Sequence, residues 1–296
     1  MTEIRPLQTL DELHACEMLQ KEIWGFEDIS IVPHHLLLTT LKNGGVLLGA
    51  FASARLIGFV YGFPGIEDNK LKHCSLMCAV LPERRFQGVG YQLKLKQREA
   101  VLAQGIELIT WTFDPLVSPN AYFNLHKLGV ISQRYERNLY GDMRDRLNAG
   151  LETDRLAVEW WIASPRVQKR LEHEQPVTVS DLPVVNQTKE HDGLLVNCDC
   201  SLQQTEPKVL VEVPYQWQRM RERDLELTKR WRHETREIFE HFFSQGYYAS
   251  DFLVMDNRAF YLLERASKED LLAWGHSAPC PYHNVSWCPQ GGVRAK

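Results

Sequence analysis

The 296-residue chain lacks any apolar run long enough to cross a bilayer, which excludes a helical membrane protein. It also lacks a basic excess. Its 34 Lys and Arg against 38 Asp and Glu leave a net charge of −4. That provides no field to gather nucleic acid or anionic lipid, so neither is an expected partner. Cysteine is scattered and odd in number, seven in all, at positions 16, 74, 78, 198, 200, 280 and 288. This argues against a disulfide framework and for a reduced, cytoplasmic protein. Cys74 and Cys78 fall in an apolar run and read as small core residues. Cys198-x-Cys200 is too close-set for a zinc knuckle, and Cys280, His283 and Cys288 are one ligand short of a closed structural site. No metal is expected. The start, Met1-Thr2-Glu3-Ile4-Arg5, has no secretory apolar region. What remains is an ordinary globular composition, 44% hydrophobic and 24% charged, with length for one large domain or two modest ones.

Two familiar phosphate-binding patterns are missing as well. There is no P-loop, and the third glycine of a dinucleotide fingerprint is replaced by Leu93. What stands there is V-L-P-E-R-R-F-Q-G-V-G, from Val80 to Gly90. It follows the strand-like run Ser75–Val80 and leads into the helix-like run Tyr91–Ala100. Backbone N–H groups at a helix start have no intrahelical partner and carry partial positive charge, so together they can hold a phosphate. Gly88 and Gly90 let the main chain approach such an anion closely. The plainer alternative is an ordinary tight strand–helix turn.

Around this loop, helices are expected over 9–22 and 31–41. Strands are expected over 46–52, 56–63 and 73–80, then a helix to Gln104 stopped by Gly105. A strand over 106–113, a short helix over 119–128 closed by Gly129, and strands over 130–135 and 137–140 complete the first half. A further strand near Ile4 is uncertain.

The spaced residues Val80, Pro82, Arg85, Gly88 and Gly90, set in this order of elements, resemble the pyrophosphate loop of the GNAT superfamily of acyl-CoA-dependent N-acyltransferases. The resemblance covers residues 1 to about 145. It implies an α/β fold with a mixed, splayed central sheet, and acetyl-CoA or another acyl-CoA as co-substrate. It also implies that the amides of Gln87, Gly88, Val89, Gly90 and Tyr91 bind pyrophosphate, with Arg85 in the motif. Val80 would lie beside the pantetheine amide, and Asn120 would contact CoA.

Amide formation from a thioester needs a deprotonated amine, donors for the carbonyl oxygen and a proton for the departing thiolate. Many GNAT enzymes supply that proton from a Tyr four residues before the glycine that closes the fourth helix. Here Gly129 and Ala121 match the family pattern, but Leu125 holds the Tyr position and Ser118 the Asn position. Tyr122 and Asn124 are the nearest substitutes. For the base, the fourth strand offers His73 or Ser75. Asp114 is a candidate holder of a cationic acceptor. The expected activity is transfer of an acetyl, succinyl or other short acyl group to a small amine. A non-catalytic acyl-CoA sensor is the rival, and a homodimer is compatible with either.

The second half is less legible. Strands are expected over 154–162, 208–213, 247–255 and 259–264, with a long helix over 224–245 ended by Gly246. The stretch 173–207 is polar, with Pro176, Pro183 and Pro207, and is assigned no element, while the tail over 266–296 reads as loop. The order β-α-β-β repeats that at 106–140. This divides the chain into 1–148, the acyl-CoA-binding domain, and 149–296, a degenerate half of the same fold with a loop tail over 266–296.

Overall fold

A computed structural model describes residues 2–141, 143, 150–172 and 182–273. The chain forms two compact units, one from described residues 2–109 and the other from described residues 110–273.

Unit 1 runs β1 (Thr2–Pro6), α1 (Leu10–Trp24), α2 (His34–Lys42), β2 (Val46–Ala52), β3 (Arg55–Glu67), β4 (Lys70–Val80) and α3 (Val89–Ala103). β1 is the strand near Ile4. The four strands pair antiparallel in sequence order. Thr9 starts α1 through a reciprocal pair of bonds with Glu12, and Gly25 ends it in the left-handed region. Pro33 stands just ahead of α2, where its missing N–H costs nothing. Ser53 and Ala54 both take positive φ, as a two-residue hairpin turn requires. β2 and the first part of β3 are buried without alternation, the mark of strands covered on both faces. α1, α2 and α3 all pack on this sheet. Phe59, Val60, Leu37 and Leu93 lie at the centre of its core.

The pairing of β3 with β4 slips between Tyr61 and Gly62, because Tyr61 faces Met77 while Gly62 faces Ser75. Leu76 is the extra residue, and its side chain is exposed. The bulge resets the in-out alternation of β4. This corrects the expectation for the cysteines: Cys78 is exposed and Cys74 only half-buried.

Unit 2 takes over within β5 (Leu108–Phe113). Then come α4 (Ser118–Ala121), continued by a π-helical turn over Tyr122–Lys127, β6 (Ile131–Glu136), β7 (Arg155–Trp161) and α5 (Pro165–Glu172). The hairpin β8 (Asn186–His191) and β9 (Leu194–Cys200) follows. After it run β10 (Lys208–Val213), α6 (Trp217–Arg223), α7 (Leu225–Ser244), β11 (Tyr247–Met255), β12 (Arg258–Arg265) and α8 (Lys268–Ala273).

Two expectations need correction here, and one stretch without an assigned element gains two strands. Residues 137–140 form a turn, with Asn138 at positive φ. Instead, β6 pairs antiparallel with β7 on one side and with β11 on the other. The side chains of Asp154 and Thr153 accept from the amides of Asn138 and Tyr140, which satisfies that turn without a strand. The polar stretch holds β8 and β9, turned by Asp192 and Gly193 at positive φ. The tail begins with α8, started by Ser267, whose hydroxyl accepts from the amide of Asp270. Residues 274–296, including Cys280, His283 and Cys288, lie outside the described residues.

The sheet of unit 2 runs β5-β7-β6-β11-β12-β10. Read inward from each edge, it shows one pattern twice. A strand is followed by a helix and then a hairpin, and the hairpin's second strand lies next to the first strand. β5, α4, β6 and β7 make one set; β10, α7, β11 and β12 make the other. The sets meet where Ala249 of β11 faces Ser132 of β6 in antiparallel pairing. α7 covers part of this sheet with Thr228, Trp231, Arg232, Thr235, Ile238, Phe239 and Phe242. Their 3–4-residue spacing is one helical stripe.

Candidate functional site

The loop between β4 and α3 is built entirely within unit 1. Leu81 is fully buried, and its amide donates to the carbonyl of Ile57, prolonging the β3–β4 pairing to the loop's edge. Pro82–Arg84 make one 3-10 turn, closed by Arg84 N–H to Leu81 O at 2.8 Å and Arg85 N–H to Pro82 O at 3.2 Å. Arg85 Nε donates to Val80 O at 3.3 Å, which ties the side chain back to the strand end. The chain then turns twice through positive φ, at Phe86 (+62°) and Gly88 (+78°), and enters α3. Phe86 is 63% exposed at the tip.

Gly88 occupies the N-cap position of α3 and supplies no side-chain acceptor. The first turn holds no acidic residue either. By contrast, Thr9 caps α1 and Asp224 caps α7. The first main-chain bond of α3 is Gln92 N–H to Gly88 O at 3.0 Å. The amides of Val89, Gly90 and Tyr91 precede it and have no place in the helical ladder. Among the described residues, a Cβ placed on Gly88 would meet nothing within 4 Å, and one on Gly90 would meet only Val80 Cγ2 at 3.7 Å. The fold therefore needs glycine at 88 for its φ. At 90, packing within the chain would admit a side chain. The result is a helix start without a side-chain cap, with room at Gly88 and Gly90 among the described residues, suited to an oxyanion.

His73 lies on β4 and is fully buried. Its Nε2 sits 3.2 Å from Gln97 Nε2. Gln97 Oε1 accepts from Ser75 Oγ at 3.1 Å and from Lys94 Nζ at 3.0 Å, and Lys94 also donates to Ser75 Oγ at 3.0 Å. With the Gln97 amide donating to Nε2, the neutral ring carries its proton on Nδ1. That atom has no hydrogen-bond partner among the described residues. Burial, aided by the Lys94 charge, pushes the His73 pKa down to about 4. Lys94 is itself 2% exposed, and burial lowers its pKa to about 8. His73 is therefore neutral at pH 7, as a base must be, but it is enclosed, and among the described residues its ring hydrogen-bonds only to Gln97. The sequence reading missed Lys94 and Gln97. Their signal is polar character at the inward positions of α3, four and seven residues after Gly90.

Asn120, Tyr122 and Asn124 belong to unit 2. Asn120 is exposed on α4, while the Asn124 side chain is buried. The π-helical turn is closed by Leu128 N–H to Phe123 O at 3.1 Å, and Asn124 O accepts from Val130 N–H at 3.2 Å. π-helical turns often mark functional positions. Tyr122 stacks on His126 at 4.7 Å, and burial, then the nearby Asp251, raise its phenol pKa. His126 Nδ1 lies 2.9 Å from Asp251, which also accepts from Arg170 at 2.8 Å. Burial opposes ionisation of Asp251, but Arg170 and His126 outweigh it and hold the acid well below the usual carboxylate range. Leu125, at the position of the family's Tyr, is fully buried. Asp114 is already occupied: Arg232 grips it with two bonds at 2.7 and 2.6 Å, and Arg155 lies at 3.8 Å. An internal arginine takes the place that the sequence reading offers to a cationic acceptor. No helix among the described residues is long and apolar enough to cross a membrane.

No family model matches the chain, and no curated protein matches it. Solved structures similar to it include the ribosomal-protein-S18-alanine N-acetyltransferase from Escherichia coli, at 15% identity and a TM-score of 0.45, covering 55% of this chain and 94% of that one. An aminoglycoside 6'-acetyltransferase type Ii shows 16% identity and a TM-score of 0.44 over 54% of this chain and 97% of its own. The PaiA N-acetyltransferase from Thermoplasma acidophilum, in complex with coenzyme A, shows 20% identity and a TM-score of 0.39 over 54% and 98%.

Proposed function

We propose that the chain is a GNAT-type N-acyltransferase that moves a short acyl group, acetyl by default, from CoA to the amine of a small acceptor. The observation that carries this reading is the uncapped start of α3, with Gly88 in the left-handed region and room at Gly88 and Gly90 among the described residues. The amides of Gln87 to Tyr91 would hold pyrophosphate, with Arg85 alongside. The end of β4 at Val80 would offer its main chain to the pantetheine arm, and Asn120 would add a polar contact to CoA. The amine nitrogen attacks the thioester carbon; the C–N bond forms, the C–S bond breaks, and the amine's proton is balanced by one on the CoA sulfur. Tyr122 and Asn124 are assigned to the departing sulfur, Tyr122 as proton donor and Asn124 as hydrogen-bond donor. His73 is kept as the fourth-strand candidate for the amine's proton, which would have to reach the ring directly or through water, since the Gln97 amide relays no proton. The repeated β-α-β-β order in unit 2 supports a second inference, that the C-terminal half is a degenerate copy of the same fold. The first copy would span 1–148 and the second 149–296, with β7 of the second stretch pairing to β6 of the first.

One feature favours a second reading, an acyl-CoA sensor without catalysis: Leu125 puts a buried hydrocarbon where the family's proton donor stands. Thermal unfolding with CoA, acetyl-CoA, succinyl-CoA and NAD in parallel tests the shared core of both readings. A shift with the CoA species and none with NAD is expected. No shift with any CoA species would leave the loop a mere turn. Release of free CoA thiol in a screen of amines then separates the enzyme from the sensor. Gly88→Val should abolish the CoA-induced shift and lower stability by about 1–2 kcal/mol, the cost of forcing an L-residue into left-handed φ.

A further inference from the structure

We infer that unit 1 carries a divalent-metal site at the junction of α1 and α2, with His14, Glu17 and His34 as its three protein ligands. His14 and Glu17 stand three residues apart on α1, so they share a face. His34 opens α2. His14 Nδ1 lies 3.0 Å from Glu17 Oε2, and His34 Nδ1 lies 3.0 Å from Glu17 Oε1. One ligand atom from each residue falls within 4.8 Å of the other two. Ligand atoms about 2.0–2.2 Å from a common ion in tetrahedral array would be roughly 3.3 Å apart. The trio is thus near a closed coordination edge before any ion arrives.

Two further contacts hold the ligands in place. The main-chain amide of His34 donates to Glu17 Oε1 at 2.5 Å, which orients the carboxylate and fixes the start of α2 against it. One turn along α1, the fully buried Gln20 clamps Val32 from both sides. Its Nε2 donates to Val32 O at 3.1 Å, and its Oε1 accepts from Val32 N–H at 2.9 Å. The segment that delivers His34 is therefore locked to the helix that carries the other two ligands.

Two imidazoles and one carboxylate select a borderline ion such as Zn²⁺, Co²⁺ or Ni²⁺ over Mg²⁺ or Ca²⁺, which prefer all-oxygen sets. The His14 and His34 side chains are 52% and 36% exposed, so an ion has a path in, and water can complete its shell. A bound ion would pin α1 to α2. His35, next in sequence, stands apart from the trio: its ring meets His34 edge-on at 5.6 Å, and it supplies the control.

The test uses the full chain stripped with a chelator and titrated with Zn²⁺, Co²⁺ and Mg²⁺ by calorimetry. Visible spectra of the Co²⁺ form are recorded in parallel. One ion per chain is expected for Zn²⁺ and Co²⁺, with no heat from Mg²⁺. His14→Ala and His34→Ala should each weaken binding at least ~10-fold, while His35→Ala should leave it unchanged. The spectrum should show d–d bands of a low-coordinate nitrogen–oxygen site without thiolate charge transfer, which separates this site from the cysteines. The spectrum also reports ligand identity even if a variant loses stability. Full-affinity binding in the double variant His14→Ala/His34→Ala, thiolate bands, or no Zn²⁺ binding at all would each overturn the assignment.

Discussion

Mild acid should loosen unit 1 through His73 before the ordinary carboxylates titrate. The ring is fully buried, and its pKa falls from 6.5 in the unfolded chain to about 4 in the fold. A folded pKa below the unfolded one means the unfolded chain binds the proton first, so stability falls as pH drops through the window from 6.5 to 4. Integrating the two titrations from about pH 7.5 to about pH 5 gives a loss of about 2 kcal/mol. Lys94, with a pKa of about 8, is mostly charged across that range and adds only about 0.2 kcal/mol of its own near pH 7.5. Hydrogen-exchange mass spectrometry of peptides covering β4 and α3, corrected for intrinsic rates, measures the change where it arises. His73→Gln is the reference, because its Oε1 can accept from Gln97 as Nε2 does, without titrating. The wild-type protein should lose about 2 kcal/mol of protection in β4, and the variant little. Equal losses in the two proteins would refute the reasoning, and so would a His73 ring that titrates near 6.5 by NMR.

Two other predictions concern buried charge. Lys94→Met should change the alkaline limb: as pH rises from 8 to 10.5 the wild-type protein sheds the cost of a buried ammonium and gains up to about 3 kcal/mol in urea unfolding, and the variant should show no such gain. Asp114→Asn should destabilise unit 2 by about 3–5 kcal/mol, because it strands the buried Arg232 cation. The double change Asp114→Leu/Arg232→Met should recover most of that loss in the same unfolding assay, and a double variant no more stable than Asp114→Asn would count against the ion pair as the cause.

The parts of this protein that are legible in sequence are those whose causes are local. The loop from Val80 to Gly90 is one, since a proline, two left-handed turns and a helix start are written in consecutive residues. β2 and β11 end where expected, because Ser53-Ala54 and Asp256-Asn257 turn the chain at once. β8 and β9 had such a signal in Asp192-Gly193, but their flanks are too polar to read as a half-buried sheet. The partner of β6 could not be read from its neighbourhood. Arg137–Tyr140 has a strand's composition, and only the side chains of Thr153 and Asp154, arriving from fifteen or so residues away, make it a turn.

Buried charge is the extreme case of this non-locality. Asp114 precedes Arg232 by 118 residues, and in sequence an unpaired aspartate after a strand looks like a place for a cationic ligand. The fold answers that charge from within, because an unpaired buried carboxylate would be costlier than the pair. The same logic makes Lys94 informative. A lysine on the inward stripe of α3, between Gly90 and Val101, is unfavourable unless something near it needs a donor. Sequence shows that the position is out of place. Only the fold shows that Ser75 and Gln97 receive it, and that His73 is enclosed by the same network. A chain of polar groups this well enclosed ties β4 to α3, the two elements that the loop from Val80 to Gly90 connects.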